Sequence, residues 1–164
     1  MNTVRLCCFL LASLSSVLAL SDSNNVSLLD YELKSLSAPE RHTLSRYNGK
    51  PVLMVFFEPG CSWCFRQVRA INRLHQRCEG HFEALAVGVN GTRASLMKEI
   101  NTLRPRFPAY QASPELLRSI GGIPATPFTL LGDTGGDFVG WMRGYVNDND
   151  LHTHLKQVTA LSCT

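Results

Sequence analysis

The sequence predicts an α/β sandwich, in which helices cover the faces of a mixed β-sheet. Strand-length apolar runs alternate with segments whose apolar residues recur at helical spacing. In addition, only a glycine-containing turn separates the last two strand-like runs. The alternation is typical of parallel strands joined by helices, and the turn is typical of an antiparallel hairpin. The predicted order of elements is therefore β-α-β-α-β-α-β-β-α.

The first half of this order follows a segment, 28–51, whose broken alternation and turn signals predict a short ribbon or strand. The run Val52–Phe57 is apolar throughout and rich in β-branched and aromatic residues, as expected for a central strand covered on both faces. The next three elements are predicted to be a helix, a second buried strand and a second helix, at Trp63 to about Cys78, Phe82 to Asn90 and Thr92 to Leu103.

The second half begins with a short strand in 106–111, where a proline suits a sheet edge or a strand start. A Ser-Pro-Glu sequence then predicts a helix start, and paired glycines predict its end. A hairpin and a polar-capped final helix complete the order. The predicted ranges of the helix, the two hairpin strands and the last helix are Ser113 to Ile120, Pro127 to Asp133, Asp137 to Val146 and Asn147 to Leu161.

The N-terminal residues predict a secretory signal peptide. Arg5 precedes a charge-free apolar stretch that ends at Leu20, and Val17-Leu18-Ala19 offers a cleavage site after Ala19. An uncut membrane anchor is the weaker alternative, because a spanning helix needs about 20 apolar residues. We therefore expect an exported protein, periplasmic in a bacterium. Its predicted parts are a signal peptide at 1–19, a flexible lead-in at 20–30 and one domain at 31–164.

Charge and cysteine content narrow the function of the mature chain. The net charge is +3, and loss of Arg5 with the signal peptide lowers it to +2, with no run of basic residues. This weak charge does not favour nucleic acid as a partner. An even number of cysteines remains, which suggests pairing in an exported protein, although spacing alone leaves three connectivities. The four are Cys61, Cys64, Cys78 and Cys163.

Cys61 and Cys64 enclose Ser62 and Trp63, directly after the predicted central strand and at the start of a predicted helix. Two residues between cysteines in the first turn of a helix bring the sulfurs within bonding distance. Such a pair can be a redox couple, a static disulfide or half of a tetrahedral metal site. A metal site would need further ligands from histidines or from another chain.

The pair is part of a longer pattern that resembles the thioredoxin superfamily. A buried strand precedes Cys-x-x-Cys, and Ile-Pro-Ala-Thr-Pro-Phe-Thr-Leu-Leu (123–131) follows roughly 60 residues later and leads into the hairpin. The strand-and-helix piece at 84–110 and the approach at 44–64 are similar to the exported TlpA/ResA branch. The resemblance covers roughly 31–161. It implies a thioredoxin-like three-layer sandwich, with a mixed central sheet flanked by helices and a strand-helix insertion before a cis-proline loop.

The resemblance also implies a protein thiol:disulfide oxidoreductase that needs no bound cofactor. The free N–H groups and dipole of the helix start favour a thiolate on Cys61, which would attack a substrate disulfide, and Cys64 would resolve the mixed disulfide. Pro127 is expected to be cis, and the backbone of Thr126 to bind an extended substrate segment; Pro124 is the alternative proline. The implied partners are disulfide-containing protein substrates and a membrane-embedded thiol electron donor.

Two positions depart from the thioredoxin pattern. Val55 stands where many thioredoxins hold a buried aspartate, and Gly60 stands where tryptophan usually precedes the first cysteine. The resemblance therefore assigns no proton acceptor for the second cysteine. Glu58, the nearest carboxylate in sequence, is our candidate for that role; the alternative is a solvated loop glutamate. Trp63 is expected either to contact substrates at the rim of the site or to pack against the core.

The fold implied by the resemblance suggests a structural disulfide between Cys78 and Cys163. Cys78 ends the active-site helix and Cys163 follows the final helix, and both helices are expected to run the same way on one face of the sheet, so that their ends meet. Two free thiols are the alternative. His152 and His154 are two residues apart on a predicted helix and do not share a face, and no metal site is predicted.

The residues around the cysteine pair favour a reductant over a strong oxidant. The strongest oxidants of the superfamily stabilise the thiolate with a histidine between the cysteines, whereas Ser62 and Trp63 carry no charge. A carboxylate at Glu58 would also disfavour the Cys61 thiolate. Two other functions stay open. One is a metallochaperone that binds copper through the pair, although such carriers space the cysteines by three residues; the other is a non-catalytic binding module.

Overall fold

The computed structural model describes residues 26–159 and residue 163. The strands are β1 (Glu32–Ser35), β2 (Arg41–Thr43), β3 (Val52–Phe57), β4 (Glu83–Gly88), β5 (Ala109–Gln111), β6 (Phe128–Gly132) and β7 (Phe138–Arg143). The helices are α1 (Ser62–Arg77), α2 (Arg93–Leu103), α3 (Pro114–Ser119) and α4 (Asp148–Val158), and a single 3₁₀ turn spans Leu44–Tyr47. From β3 onward this is the predicted order of elements.

The strands form one mixed sheet in the order β2-β1-β5-β4-β3-β6-β7. β3 pairs in parallel with β4 and antiparallel with β6. It is the middle strand of the five from β5 to β7, so the prediction of a central strand holds for that part of the sheet. The hairpin of β1 and β2, predicted as a short ribbon, extends the sheet beyond β5 through antiparallel pairing.

All six residues of β3 are buried because each face of the sheet is covered. Leu53, Val55 and Phe57 belong to the core that the sheet forms with α1, α2 and α4. Met54 and Phe56 belong to a second core, which includes α3 and the segment before β1. Apolar and polar residues therefore do not alternate in β3, because an apolar core lies on each face of the sheet. The predicted sandwich of helices, mixed sheet and helices is confirmed.

Polar side chains fix the starts of three helices. Thr92, Ser113 and Asn147 each accept hydrogen bonds from backbone N–H groups of the first turn, and Pro114 opens α3 without needing such a partner. The Ser-Pro-Glu signal and the polar start of the last helix therefore predicted real helix starts.

The proline before β5 corrects one interpretation. β5 lies between β1 and β4, so it is an interior strand. Of the two predicted positions for this proline, the sheet edge is therefore wrong and the strand start is correct. Pro108 instead stands directly before the strand, where its missing N–H removes no ladder hydrogen bond. Its carbonyl oxygen accepts a hydrogen bond from the N–H of Ala86 at 2.9 Å, which aligns β5 with β4.

The folded domain starts earlier than residue 31. Leu28 and Leu29 are fully buried. The N–H of Leu28 donates to the carbonyl of Gly136 at 2.7 Å, and the carbonyl of Val26 accepts from Phe138 at 2.9 Å. The prediction of a flexible lead-in is therefore wrong for 26–30. The predicted signal peptide lies outside the described residues. Among residues 26–159 and 163, no helix has both the length and the apolar character to cross a membrane.

Candidate active site

Cys61 and Cys64 lie at the end of the sheet where β3 gives way to α1. The chain leaves β3 at Phe57 and turns through Gly60, whose φ of +78° is a left-handed conformation that glycine adopts freely. Cys61 is the N-cap residue of α1. The two cysteines form a disulfide with their Cα atoms 5.3 Å apart. The strand therefore delivers the pair to the edge of the sheet, and the helix holds it there.

The two sulfurs have different environments. Cys64 is fully buried, whereas Cys61 is half-buried. The sulfur of Cys61 accepts a hydrogen bond from the backbone N–H of Cys64 at 3.2 Å, so it lies over the first turn of α1, which contains no acidic residue. A thiolate at Cys61 would be stabilised by the same N–H groups and by the helix dipole. This arrangement favours Cys61 as the attacking sulfur.

Strand register places Pro127 at the same end of the sheet. Phe56, near the end of β3, pairs with Phe128, the first residue of β6. Because these strands are antiparallel, the residues before β6 lie beside the turn that follows β3. The proline loop and the cysteine pair therefore meet, although more than sixty residues separate them in the sequence.

The proline loop leaves backbone groups available beside the cysteines. The Thr126–Pro127 peptide bond is cis, and Pro124 makes no cis bond. The carbonyl of Pro127 accepts a hydrogen bond from the N–H of Gly144 at 2.9 Å, which fixes the loop against the end of β7. By contrast, no residue in the described part of the chain pairs with the backbone N–H or C=O of Thr126. These two groups are free to bind an extended segment.

An apolar groove of about 410 Å³ adjoins the proline loop and includes Trp63, Pro127 and Tyr145. Trp63 is 53% exposed and Tyr145 is 39% exposed, with their ring centroids 6.2 Å apart. The guanidinium of Arg66 lies 4.7 Å from the centroid of the Trp63 ring. Trp63 therefore lies at the rim and not in the core. Tyr145 was not predicted as a site residue, although an aromatic residue near the end of the predicted hairpin was a usable signal.

Glu58 joins three loops around the cysteine pair. Its carboxylate accepts hydrogen bonds from the hydroxyl of Thr126 at 2.6 Å and from the side-chain amide of Asn90 at 2.8 Å. These two bonds, that of Thr126 first, lower the pKa of Glu58. A carboxylate with a lowered pKa is a weak proton acceptor, so this geometry opposes the predicted role. We infer instead that Glu58 positions the proline loop.

Two further polar contacts of the site were not predicted. Glu99 of α2 accepts a hydrogen bond from the N–H of Gly60 at 3.0 Å and so fixes the turn before Cys61. Gln67 is fully buried one turn after Cys64, and its side-chain oxygen accepts from the N–H of Val146 at 2.7 Å. The sequence signal for Gln67 was its position as a polar residue on the core-facing side of a helix. This bond ties α1 to the segment that carries Tyr145.

Cys78 and Cys163 form a second disulfide, with Cα atoms 5.3 Å apart. The position of Cys163 corrects the reason for expecting this pair. His152 belongs to the second turn of α4, and Cys163 lies beside it. Cys163 is therefore near the beginning of α4. The two helix ends do not need to meet. Arg73 of α1 also pairs with Asp148 at 2.8 Å, which joins the same two helices next to the disulfide.

Replacing Glu58 with Gln is expected to lower the free energy of unfolding by about 1 kcal/mol or less at pH 7, because two partly exposed charge-assisted hydrogen bonds weaken. A lowered carboxyl pKa stabilises the fold above the ordinary pKa of about 4.3 and ceases to do so as the pH falls through the lowered value. Urea unfolding should therefore show a smaller difference at pH 3 than at pH 7. Glu79→Gln, on an exposed side chain, is the control; an equal loss at both pH values would contradict the assignment.

The proteins to which this chain is similar agree with the geometry of the cysteine site. No family model matches the chain. The thiol-disulfide oxidoreductase ResA of Geobacillus kaustophilus is 28% identical over 131 residues, which cover 79% of this chain and 74% of the relative. ResA of Geobacillus thermodenitrificans is 26% identical over 130 residues, with the same coverage.

Solved structures show the same fold. A thiol:disulfide interchange protein of the thioredoxin family from Chlorobium tepidum superposes with a TM-score of 0.70 at 19% identity, over 84% of this chain and 99% of that one. The exposed lipoprotein thioredoxin of Streptococcus pneumoniae gives a TM-score of 0.68 at 22% identity, over 78% and 98%. The chain therefore has the thioredoxin fold, with its cysteine pair beside a cis-proline at the end of the sheet, and its sequence is similar to those of the thiol-disulfide oxidoreductases named ResA.

Proposed function

We propose that the protein is exported and reduces disulfide bonds in protein substrates, with Cys61 attacking and Cys64 resolving. The observation that carries these roles is the contrast between the two sulfurs: that of Cys61 is half-buried over the start of α1, and Cys64 is fully buried. Export is supported by the predicted signal peptide and by the similarity to an exposed lipoprotein thioredoxin.

The reaction transfers two electrons from the dithiol to the substrate. The Cys61 thiolate attacks one sulfur of the substrate disulfide, the other sulfur leaves as a thiolate and takes up a proton, and a mixed disulfide forms. The Cys64 thiol then loses its proton and attacks the sulfur of Cys61, which releases the second substrate thiol. The product is the Cys61–Cys64 disulfide. A membrane-embedded thiol donor would return the two electrons for the next cycle.

Substrate binding is proposed to use the free backbone of Thr126 and the apolar groove. An extended segment can pair with the N–H and C=O of Thr126 as an added strand, which binds the main chain without selecting a sequence. The groove between Trp63 and Tyr145 can then take an apolar side chain from the same segment. This division predicts broad substrate use with a preference for apolar residues near the disulfide.

Replacing Pro127 with Ala is expected to lower turnover with a protein disulfide by roughly tenfold to a hundredfold, because the loop that presents the Thr126 backbone would move. Alkylation of Cys61 in the reduced protein should change far less, because the proline does not alter the electrostatics at the sulfur. Both rates should be measured on the same preparation. Pro124→Ala is the matched control, since Pro124 lines a separate groove with Phe128 and Trp141. A larger effect at Pro124 would transfer the role to that residue.

The reduction potential of the Cys61–Cys64 pair is expected to lie closer to the thioredoxin value of about −270 mV than to the strong-oxidant value of about −120 mV. No charged residue separates the cysteines, and the ionised Glu58 stands three residues before Cys61. Both features leave the Cys61 thiolate less stable. A less stable thiolate favours the disulfide form and lowers the reduction potential. Equilibration with glutathione buffers, followed by quantification of free thiols, gives the potential. A value near −120 mV would refute the reductive direction and leave the oxidoreductase assignment intact.

A further inference from the structure

Three possible metal ligands meet at the second disulfide. The Nε2 atom of His152 lies 3.5 Å from the sulfur of Cys163 and 3.1 Å from its carbonyl oxygen. The ligand atoms of Cys78, His152 and Cys163 all lie within 4.8 Å of one another. They come from the end of α1, the second turn of α4 and a residue near the C-terminus of the sequence. Nothing in the proposed reaction at Cys61 uses them.

The spacing of these atoms suits zinc after modest movement. In a tetrahedral site with Zn–S bonds of about 2.3 Å and Zn–N bonds of about 2.0 Å, neighbouring ligand atoms lie roughly 3.5 to 3.8 Å apart. The distance from the His152 nitrogen to the Cys163 sulfur already has this value. The two sulfurs must move apart, which opening of their bond allows, and the Cys78 sulfur, which lies within 4.8 Å of the His152 nitrogen, must take up the same spacing from it. Two thiolates with one imidazole are also a donor set that zinc binds well.

We propose that reduction of the Cys78–Cys163 disulfide creates a zinc site formed by both thiolates and the Nε2 atom of His152, with the fourth position open to water. Cys78 is fully buried and Cys163 is 6% exposed, so two thiolates there would be poorly solvated without a cation. The ion would join the end of α1, α4 and residue 163 again. Zinc would thus replace the crosslink that reduction removes.

The chemistry balances with a protein dithiol or a phosphine as the reductant. The reductant supplies two electrons, and two protons convert the disulfide to two thiols. Binding of Zn²⁺ to both sulfurs then releases two protons. The Nε2 proton that the Cys163 carbonyl accepts moves to Nδ1, so that the neutral imidazole contributes the lone pair of Nε2. Reoxidation would expel the ion, because a disulfide offers no thiolate ligand. The site is therefore expected to bind zinc only in the reduced state.

The test uses the full chain with Cys7, Cys8, Cys61 and Cys64 replaced by Ser, which leaves only the two cysteines of the proposed site. Competition with a chromophoric chelator measures zinc binding before and after phosphine reduction. We expect one Zn²⁺ per reduced chain and none per oxidised chain. His152→Gln should weaken binding by at least about tenfold. His154→Gln, an exposed histidine two residues further along α4, should leave the affinity unchanged.

Three results would overturn the proposal: no stoichiometric zinc in the reduced protein, equal binding by the oxidised protein, or a loss in His152→Gln no greater than in His154→Gln. Cobalt gives an independent readout, since thiolate ligation produces a charge-transfer absorption that the oxidised protein should lack. If reduction unfolds the chain, added zinc should restore its circular dichroism and cooperative unfolding, because binding favours the folded state. Failure to restore them would count equally against the site.

Discussion

Cys61→Ser is expected to abolish reduction of protein disulfides, with a loss of about a thousandfold or more, because a hydroxyl cannot replace the attacking thiolate. Cys64→Ser should also stop turnover, but after the first step. Its Cys61 thiolate still attacks, and the mixed disulfide then accumulates because no second sulfur resolves it. Non-reducing electrophoresis and mass spectrometry of trapped partners distinguish the two variants.

The assignment of the two cysteines makes these variants unequal. Cys61 is half-buried and accepts the hydrogen bond at the helix start, whereas Cys64 is fully buried behind it. If Cys61→Ser accumulates mixed disulfides and Cys64→Ser does not, the roles are reversed. If neither variant loses activity, the pair is not the redox centre. The proteins trapped on Cys64→Ser would also identify the substrates.

Removing the second disulfide should have the largest effect on stability. The double variant Cys78→Ala with Cys163→Ala is expected to lose about 4 to 5 kcal/mol of unfolding free energy, because the link spans 85 residues of sequence and restricts the unfolded chain. Such a loss is comparable to the whole stability of many domains. Urea unfolding without reductant measures it, and peptide mapping of the unreduced protein should first recover the linked Cys78 and Cys163 peptides.

The control for this experiment is the other disulfide. Cys61 and Cys64 are separated by only three positions, so their bond closes a very short loop and restricts the unfolded chain much less. The double variant Cys61→Ala with Cys64→Ala should therefore lose far less stability. Equal losses in the two double variants would contradict a structural role for the Cys78–Cys163 link, as would a negligible loss at Cys78 and Cys163.

Much of the fold could be predicted because local signals and global packing agree. Val52–Phe57 is a buried strand by composition, and the helix starts carry polar caps that the structure uses. The prediction of a flexible lead-in was wrong because it depended on a long-range contact. Leu28 and Leu29 follow a polar segment, and their burial depends on the hairpin turn at Gly136, more than a hundred residues away. Composition alone contains no information on such a contact.

In the site, too, residues of a local motif could be predicted, whereas contacts between distant segments could not. Cys61, Cys64 and the proline loop belong to a motif with fixed spacing, and strand pairing brings them together. The hydrogen bond between Glu58 and Thr126 depends on how two loops pack, so sequence reasoning could name Glu58 but gave it a different role. His152 contacts a disulfide, and not solvent alone, because residue 163 lies beside α4.

The contact between Asn90 and Glu58 has a consequence for how the protein is produced. Asn90-Gly91-Thr92 is an acceptor sequence for N-linked glycans, and the side-chain nitrogen that would carry the sugar is the donor to Glu58. Asn90 is exposed, so a glycosylating enzyme could reach it. A glycan there would place a bulky, hydrated group beside the cysteine pair. Material secreted from yeast or animal cells would then differ at the active site from material made in a bacterial host.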